Sequence, residues 1–137
     1  MDLRGVIFYM KKAKLTINTQ VDNASETSAS YEAEIELVEN NVLLRYEEQG
    51  AKVTLALNNG EVCIDRVGDY TFSLRLSEGK ELPASLGIMG SSGDIKTQTH
   101  SIQYSITEKS FLLSIKYALI FAGDEKQEMK LRLIVRF

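Results

Sequence analysis

Apolar and polar residues alternate along most of the chain. Residues 31–37 alternate between apolar and acidic side chains, and residues 53–57, 70–76 and 129–137 show the same period of two. Successive side chains of a β-strand point to opposite faces, whereas a helical period would scatter these charges around every side. The pattern therefore predicts amphipathic strands, each with one apolar face and one hydrated face.

Turn signals separate the central strands at intervals of nine or ten residues. They stand at 40–41, 49–50, 59–60, 68–69 and 78–79. Asn59-Gly60 is the strongest of them, because a two-residue hairpin turn requires positive φ at both central positions and these residue types adopt it readily. Short, regularly spaced turns indicate a meander, in which consecutive strands are antiparallel neighbours.

The rest of the chain is less regular. A strand is predicted at residues 12–17, followed by a polar loop over residues 22–30 that contains no periodic apolar residue. Pro83 lacks a backbone donor and favours a short or edge strand there, and the glycines at 87, 90 and 93 indicate a broad turn. Further strands are predicted at 95–100, 111–122 and 128–137.

These elements predict an all-β fold. An open meander of this size would leave two long edges, and closure of the sheet removes them. We therefore predict an antiparallel up-and-down β-barrel of about eight to ten strands. The length of 137 residues is that of one domain. Residues 10–137 are assigned to the barrel and residues 1–9 to an N-terminal extension.

Composition narrows the function classes. The 16 basic and 19 acidic residues are scattered along the chain, so the clustered Lys and Arg of a nucleic-acid interface are not expected. The apolar runs are far shorter than the roughly 18 residues of a membrane-spanning helix, so no membrane partner is expected. A single cysteine excludes an internal disulfide and suits the reducing cytoplasm.

Several short motifs then follow in a characteristic order. They are the pair Tyr46-Glu47, the segment 62–68 with Val62, Ile64, Arg66 and Gly68, then Phe72, Gly79, Gly93 and the late run Ile115-Lys116-Tyr117. In order and spacing they resemble the YwiB-like family of small bacterial proteins of unknown function, over residues 11–135. The resemblance implies a calycin-like, lipocalin-related barrel and no known activity. The chain departs from the family pattern at residues 85–89, which weakens any site placed there.

Arg66 is the most informative candidate for chemistry. It is in phase with Val62 and Ile64, so its guanidinium is expected on the apolar side at a strand end, where a charge needs a partner. One interpretation is an anion or carboxylate contact at the barrel mouth. The alternatives are an ion pair with Glu47, Asp65 or Asp69, or a side chain that extends back to water.

Four other polar side chains fall on predicted inward faces. Tyr46 and Tyr117 are in phase with apolar neighbours, and Thr97 and Thr99 are in phase with Ile95. Buried tyrosines usually serve packing with a satisfied hydroxyl group. Together with Arg66, these residues nevertheless form the tentative ligand-binding set.

Catalytic, metal and cofactor sites are not predicted. Cys63 and His100 are the only candidates for a thiol nucleophile with its base, and one Cys with one His makes a poor zinc site. The glycine-rich segment 87–93 lacks the lysine and helix of a phosphate loop. Glu32, Glu34 and Glu36 share one strand face and are expected on the hydrated exterior.

Three functions remain open, in this order. The first is a binding module that holds a small apolar or amphipathic molecule inside the barrel, entered beside Arg66. The second is a structural or interaction protein with a solid barrel, acting through its outer face or as a homodimer, since Leu43, Leu112, Ile120 and Ile134 are apolar but out of phase with the core. The third is a hydrolase that uses Cys63 and His100.

Overall fold

The structure, a computed structural model, describes residues 9–88 and 91–137, which form ten strands. They are β1 (Tyr9–Val21), β2 (Thr27–Val38), β3 (Asn41–Glu48), β4 (Ala51–Asn58), β5 (Glu61–Val67), β6 (Tyr70–Leu76), β7 (Glu81–Ile88), β8 (Ser91–Ile106), β9 (Ser110–Ile120) and β10 (Lys126–Arg136). The predicted extension, residues 1–9, lies outside the described residues except for Tyr9, which begins β1.

Each strand pairs with its neighbours along the chain, and β10 returns to pair with β1. Leu15 of β1 is the partner of Tyr31 on β2 and of Val135 on β10, so the two ends of the meander join through the same strand. All pairs are antiparallel. The predicted all-β, up-and-down barrel is confirmed, with ten strands at the upper limit of the expected range.

The turns follow from local backbone chemistry. Asn59 has φ 52° and Gly60 has φ 79°, the positive values that a two-residue hairpin turn requires. Gln49 and Gly50 repeat the geometry with φ 50° and 81°. These turns fix the register of the strands on either side, and so keep the apolar residues of β3, β4 and β5 on one face.

The structure differs from the predicted polar loop at residues 22–30. Only residues 22–26 leave the sheet, and residues 27–30 belong to β2, where Thr27 pairs with Thr19 and Ser30 with Thr16. Backbone hydrogen bonds between strands do not require apolar side chains. A polar strand pair beyond the core is therefore invisible to hydrophobic periodicity.

The predicted glycine turn is also shorter than expected. Gly87 pairs with Ser92 and Gly93 with Leu86, so both glycines lie within β7 and β8; Gly90 is outside the described residues. Pro83 fits its predicted edge position. Pairing of β6 with β7 covers only Tyr70–Ser73 and residues 85–88, so Pro83 has no partner on that side.

Burial divides the barrel interior into two parts. Near the turns at 39–40, 59–60 and 107–109, which we call the closed end, inward side chains such as Leu37, Val42 and Phe111 are almost fully buried. Toward the turns at 22–26, 49–50, 68–69 and 122–125, most inward apolar side chains are only partly buried, although Ala51 and Val53 are buried there. We call this second end the mouth. Ile102, Ile106 and Phe137 are the partly buried ones toward the closed end.

Candidate binding site at the barrel mouth

The mouth is lined by apolar side chains that face inward but are partly exposed. They are Ile17, Tyr31, Tyr46, Phe72, Ala84, Leu86, Leu119, Phe121, Met129 and Leu131. Their strand register places them on the same face as the buried core, since Phe72 pairs with Leu86 and Met129 pairs with the buried Tyr117. The barrel is thus packed toward one end and presents apolar surface at the other.

Arg66 lies in the wall below this surface and is only 1% exposed. Its Nη1 donates hydrogen bonds to Asp69 Oδ1 at 2.9 Å and to the carbonyl oxygen of Tyr70 at 2.6 Å. Its Nε is 3.5 Å from Glu48 Oε2. The guanidinium carbon stands 3.5 Å from the centroid of the Tyr70 ring, a cation–π contact.

These contacts keep Arg66 charged. Burial acts to lower the pKa of Arg66, but the hydrogen bond to Asp69, the charges of Asp69 and Tyr70 and the contact with Glu48 together raise it. The hydrogen bond from Arg66 in turn holds the pKa of Asp69 below its ordinary value. Two carboxylates therefore surround one guanidinium, and the group as a whole is negative.

Of the three ion-pair partners proposed for Arg66, the structure shows Asp69 but neither Glu47 nor Asp65. Both of those residues are out of phase with Arg66 and exposed on the outer face, where Asp65 accepts a hydrogen bond from Ser73. The second carboxylate partner of Arg66 is Glu48, which the sequence analysis missed. Its signal was available, because Glu48 is in phase with the inward Tyr46.

Tyr46 belongs to the same cluster through Tyr31. The two rings lie 5.1 Å apart, and the Tyr31 hydroxyl donates to Glu48 Oε1 at 3.2 Å. Burial, followed by the charge of Glu48, raises the pKa of Tyr46. Glu48 therefore links β2 to the Arg66 cluster. Among the predicted site residues, Arg66 and Tyr46 are brought together.

Thr97, Thr99 and Tyr117 form a second group on β8 and β9, with β6 and β7 between it and Arg66. All three are buried. Thr97 Oγ1 donates to the carbonyl oxygen of Arg75 at 2.6 Å. Thr99 pairs with Tyr117 across the strands, yet Thr99 Oγ1 is buried without a hydrogen-bond partner within the described structure. Burial alone raises the pKa of Tyr117 to about 12.

The structure does not bring Cys63 and His100 together. Cys63 on β5 has Ala56 and Arg75 as its cross-strand neighbours. His100 stands at a β-bulge in β8, and its Nε2 is 3.0 Å from Glu128 Oε2. No arrangement of nucleophile and base results. Within the described residues there is also no cluster of three or more His, Cys, Asp or Glu suited to a metal ion.

The outer face of β2 is hydrated, as expected. Glu32 and Glu34 are exposed and lie opposite Lys14 and Lys12 on β1. Glu36 accepts a hydrogen bond from Arg45 at 3.0 Å. Cross-strand lysines and this arginine thus offset the repulsion along the row of carboxylates. In the described part of the chain, no helix has the length and apolar character needed to span a membrane.

Most of the chain matches a known protein family. Residues 13–133 match the family described as Domain of unknown function (DUF1934). The chain belongs to this family. The barrel is also similar to the crystal structure of the ywiB protein from Bacillus subtilis, with a TM-score of 0.76 and 22% sequence identity over 93% of this chain and 94% of that one. A search of curated proteins finds no match.

The family match and the fold similarity confirm the resemblance to YwiB-like proteins. At 22% identity the solved structure supports the shared fold. Because the family has no described function, the function has to be argued from the geometry of this chain.

Proposed function

We propose that the barrel binds a small apolar or amphipathic molecule at its mouth. The observation that carries this proposal is the concentration of partly exposed, inward apolar side chains at the mouth, which holds ten of the thirteen that pack against the core. On β9, Leu113 is 1% exposed, whereas Leu119, on the same face, is partly exposed. Small-molecule sites are typically concave and mostly apolar, with a few polar groups that orient the ligand.

The number of strands supports the same conclusion. A barrel of about eight strands has an interior that side chains can just fill, or that accommodates one small ligand. The ten strands of this barrel enclose a wider interior. Side chains fill most of the interior at the closed end, which agrees in part with the alternative of a solid barrel. At the mouth, apolar surface of the interior remains exposed.

The rim beside Arg66 is apolar as well. Val67, Tyr70 and Ile88 are large exposed hydrophobic residues, and Tyr70 pairs directly with Ile88. The Tyr70 ring lies 6.3 Å from that of Phe72, one of the mouth residues. Apolar surface therefore continues from the rim into the mouth, which suits the entry of an apolar molecule on this side.

Fluorescence titration with N-phenyl-1-naphthylamine, a neutral apolar probe, tests the proposal. The chain contains no tryptophan, so the probe signal is free of tryptophan emission. We expect saturable binding of one probe per chain. Leu119→Gln is expected to weaken binding at least tenfold, because it places an amide in the apolar mouth.

Leu112→Gln is the matched control. Leu112 lies on the same strand, is 41% exposed and faces outward, so the substitution should leave probe binding unchanged. Absence of saturable binding, or equal loss in both variants, contradicts the proposal. Native mass spectrometry of the purified protein provides a second measurement, in which a retained small molecule adds to the mass of the chain.

A second candidate function is self-association through the edge of β8. Pairing of β7 with β8 ends at Gln98, whereas β9 continues to pair as far as Ile106. Residues 101–106 therefore have a strand on one side only within the described structure. The segment itself contains no charge and no proline, the features that normally protect an edge, and its Tyr104 is 43% exposed. One of its backbone groups is already occupied, because the Ile102 N–H donates to Glu78 Oε1 at 3.0 Å.

A second copy of the chain fits this edge. Two copies of an uncharged segment can pair antiparallel about a twofold axis without like-charge repulsion. Light scattering over a concentration series should then show a monomer–dimer equilibrium. Tyr104→Lys should abolish the dimer, while Leu112→Lys, at a similarly exposed position on β9, should retain it. A monomer at all concentrations contradicts this candidate.

We extend the proposal to the relationship of the barrel and to the cellular location of the protein. We propose that the barrel is related to calycin and lipocalin barrels, supported by the up-and-down order of its strands. We also propose a cytoplasmic location, supported by the single unpaired cysteine. Cell fractionation with an antibody against the protein tests the location, and recovery outside the cytoplasmic fraction contradicts it.

A further inference from the structure

We propose that the ligand carries an uncharged polar group and that Thr99 and Tyr117 form its hydrogen-bonding seat beneath the mouth. The inference rests on the proposed binding function and adds the chemical class of the ligand. It assigns recognition to the β8–β9 side of the barrel and not to Arg66.

The surroundings of Arg66 disfavour an anionic ligand. Nη1 already donates to Asp69 and to the Tyr70 carbonyl, and Nε, which makes no hydrogen bond within the described structure, lies 3.5 Å from Glu48 Oε2. The Tyr70 ring covers the guanidinium face. An incoming carboxylate would have to approach the negative charges of both Asp69 and Glu48. Arg66 therefore stabilises the rim in place of receiving an anion.

Thr99 differs from Arg66 in that its buried atom without a hydrogen bond belongs to an uncharged side chain. Its side chain is 1% exposed, and its Oγ1 has no hydrogen-bond partner within the described structure. Thr97, two residues earlier on the same face, satisfies its hydroxyl with the carbonyl oxygen of Arg75. A buried hydroxyl without a partner is unfavourable. A polar group that enters from the mouth would supply the missing partner.

Tyr117 adds a second hydroxyl to this seat. It pairs with Thr99 on one side and with Met129, a mouth residue, on the other. Leu119, also at the mouth, follows two residues later on the same face. The Tyr117 hydroxyl is protonated at neutral pH, as tyrosine hydroxyls ordinarily are, and burial raises its pKa further, to about 12. Two uncharged hydroxyl groups favour a neutral partner such as an alcohol, because a charged group would lose its hydration there without a counter-charge.

Displacement of N-phenyl-1-naphthylamine by decan-1-ol and by decanoate tests the inference at neutral pH. These competitors share a ten-carbon chain and differ in their head group. We expect decan-1-ol to displace the probe at a concentration at least tenfold lower. Thr99→Val should weaken decan-1-ol about five- to tenfold, the effect of one hydrogen bond, and should leave decanoate unchanged.

Thr54→Val is the control, because it makes the same change on the outer face of β4, and it should alter neither competitor. Circular dichroism establishes that both variants are folded. If the probe binds but decanoate competes equally well, or if Thr99→Val does not weaken decan-1-ol, the seat is wrong while the binding function stands. If the probe does not bind at the mouth, the binding function itself fails and the seat with it.

Discussion

The polar residues inside the barrel differ in one respect, which is whether the fold supplies a partner. Arg66 and Thr97 are each hydrogen-bonded to the backbone of a neighbouring segment. Thr99 Oγ1 has no hydrogen-bond partner within the described structure, nor does Arg66 Nε, and burial raises the pKa of Tyr117. The hydrogen bonds of Arg66 and Thr97 therefore contribute to folding, whereas the hydroxyl of Thr99 contributes none.

Two identical substitutions on β8 should have different effects on stability. Thr97→Val leaves the carbonyl of Arg75 without its donor and should lower the free energy of unfolding by about 1–3 kcal/mol. Thr99→Val removes an unpaired hydroxyl and should be neutral or stabilising by about 1 kcal/mol. Urea denaturation followed by circular dichroism measures both. A comparable loss in the two variants would show that Thr99 has a partner.

Tyr117 should make stability depend on alkaline pH. Its pKa is about 12 in the folded protein against an ordinary value of 10.0. Because the unfolded chain loses this proton first, the stabilisation is complete below pH 10 and is lost as the pH rises to 12. Tyr117→Phe should therefore reduce the fall in the free energy of unfolding between pH 10 and 12. Parallel curves for the two proteins contradict this expectation.

At the scale of elements, the β5–β6 turn is pressed against the start of β4. A Cβ atom at Gly68 would lie 2.5 Å from the Cβ of Ala51 and 3.0 Å from its Cα. The same turn carries Asp69, the hydrogen-bond partner of Arg66. Glycine is thus required at 68 by close approach, and the approach positions the rim beside the mouth.

Gly68→Ala should lower the free energy of unfolding by about 1–3 kcal/mol, the usual effect of overpacking. Gly93→Ala is its control, because a Cβ there meets only the carbonyl oxygen of Leu86 at 4.0 Å, and it should be nearly neutral. Thermal unfolding of both variants provides the comparison. Equal melting temperatures would mean that the turn moves away from Ala51 without cost.

At the scale of the whole molecule, inward side chains are packed more completely toward the closed end than at the mouth. The strands have unequal lengths, from seven residues in β5 and β6 to sixteen in β8. Most partly exposed inward apolar side chains lie at the mouth, and two more, Ile102 and Ile106, lie on the part of β8 that β7 does not pair. Stability should be concentrated near the closed end, and ligand binding near the mouth.

Substitution of two leucines on β9 tests the difference in packing between the closed end and the mouth. Leu113→Ala removes a buried side chain and should lower the free energy of unfolding by about 2–5 kcal/mol. Leu119→Ala, at the mouth, should cost about 1 kcal/mol, because the wild-type side chain is already partly exposed. Chemical denaturation of the two variants tests the difference. Equal costs would indicate a barrel that is packed along its full length.

The sequence predicted the fold more fully than the site. Alternation and turn residues predicted the meander, because they act between neighbours in the chain. The strand pair of Thr19 and Thr27 was missed, since its side chains are polar and leave no periodic signal. In the site, the alternation along β5 correctly predicted that Arg66 faces inward. Its contact with Glu48 could not be predicted in this way, because it requires β3 and β5 to lie on either side of β4.

By itself, the sequence determined that this protein is an antiparallel barrel and which side chains face its interior, because strand periodicity and turn geometry are local properties. Only the tertiary structure decided that most partly exposed inward side chains lie at one end, that Asp69 and Glu48 both stand beside Arg66, and that Thr99 lacks the partner that Thr97 has. These distinctions depend on which strands meet and where each one ends. Contacts between residues distant in the chain set them, and no local pattern encodes such contacts.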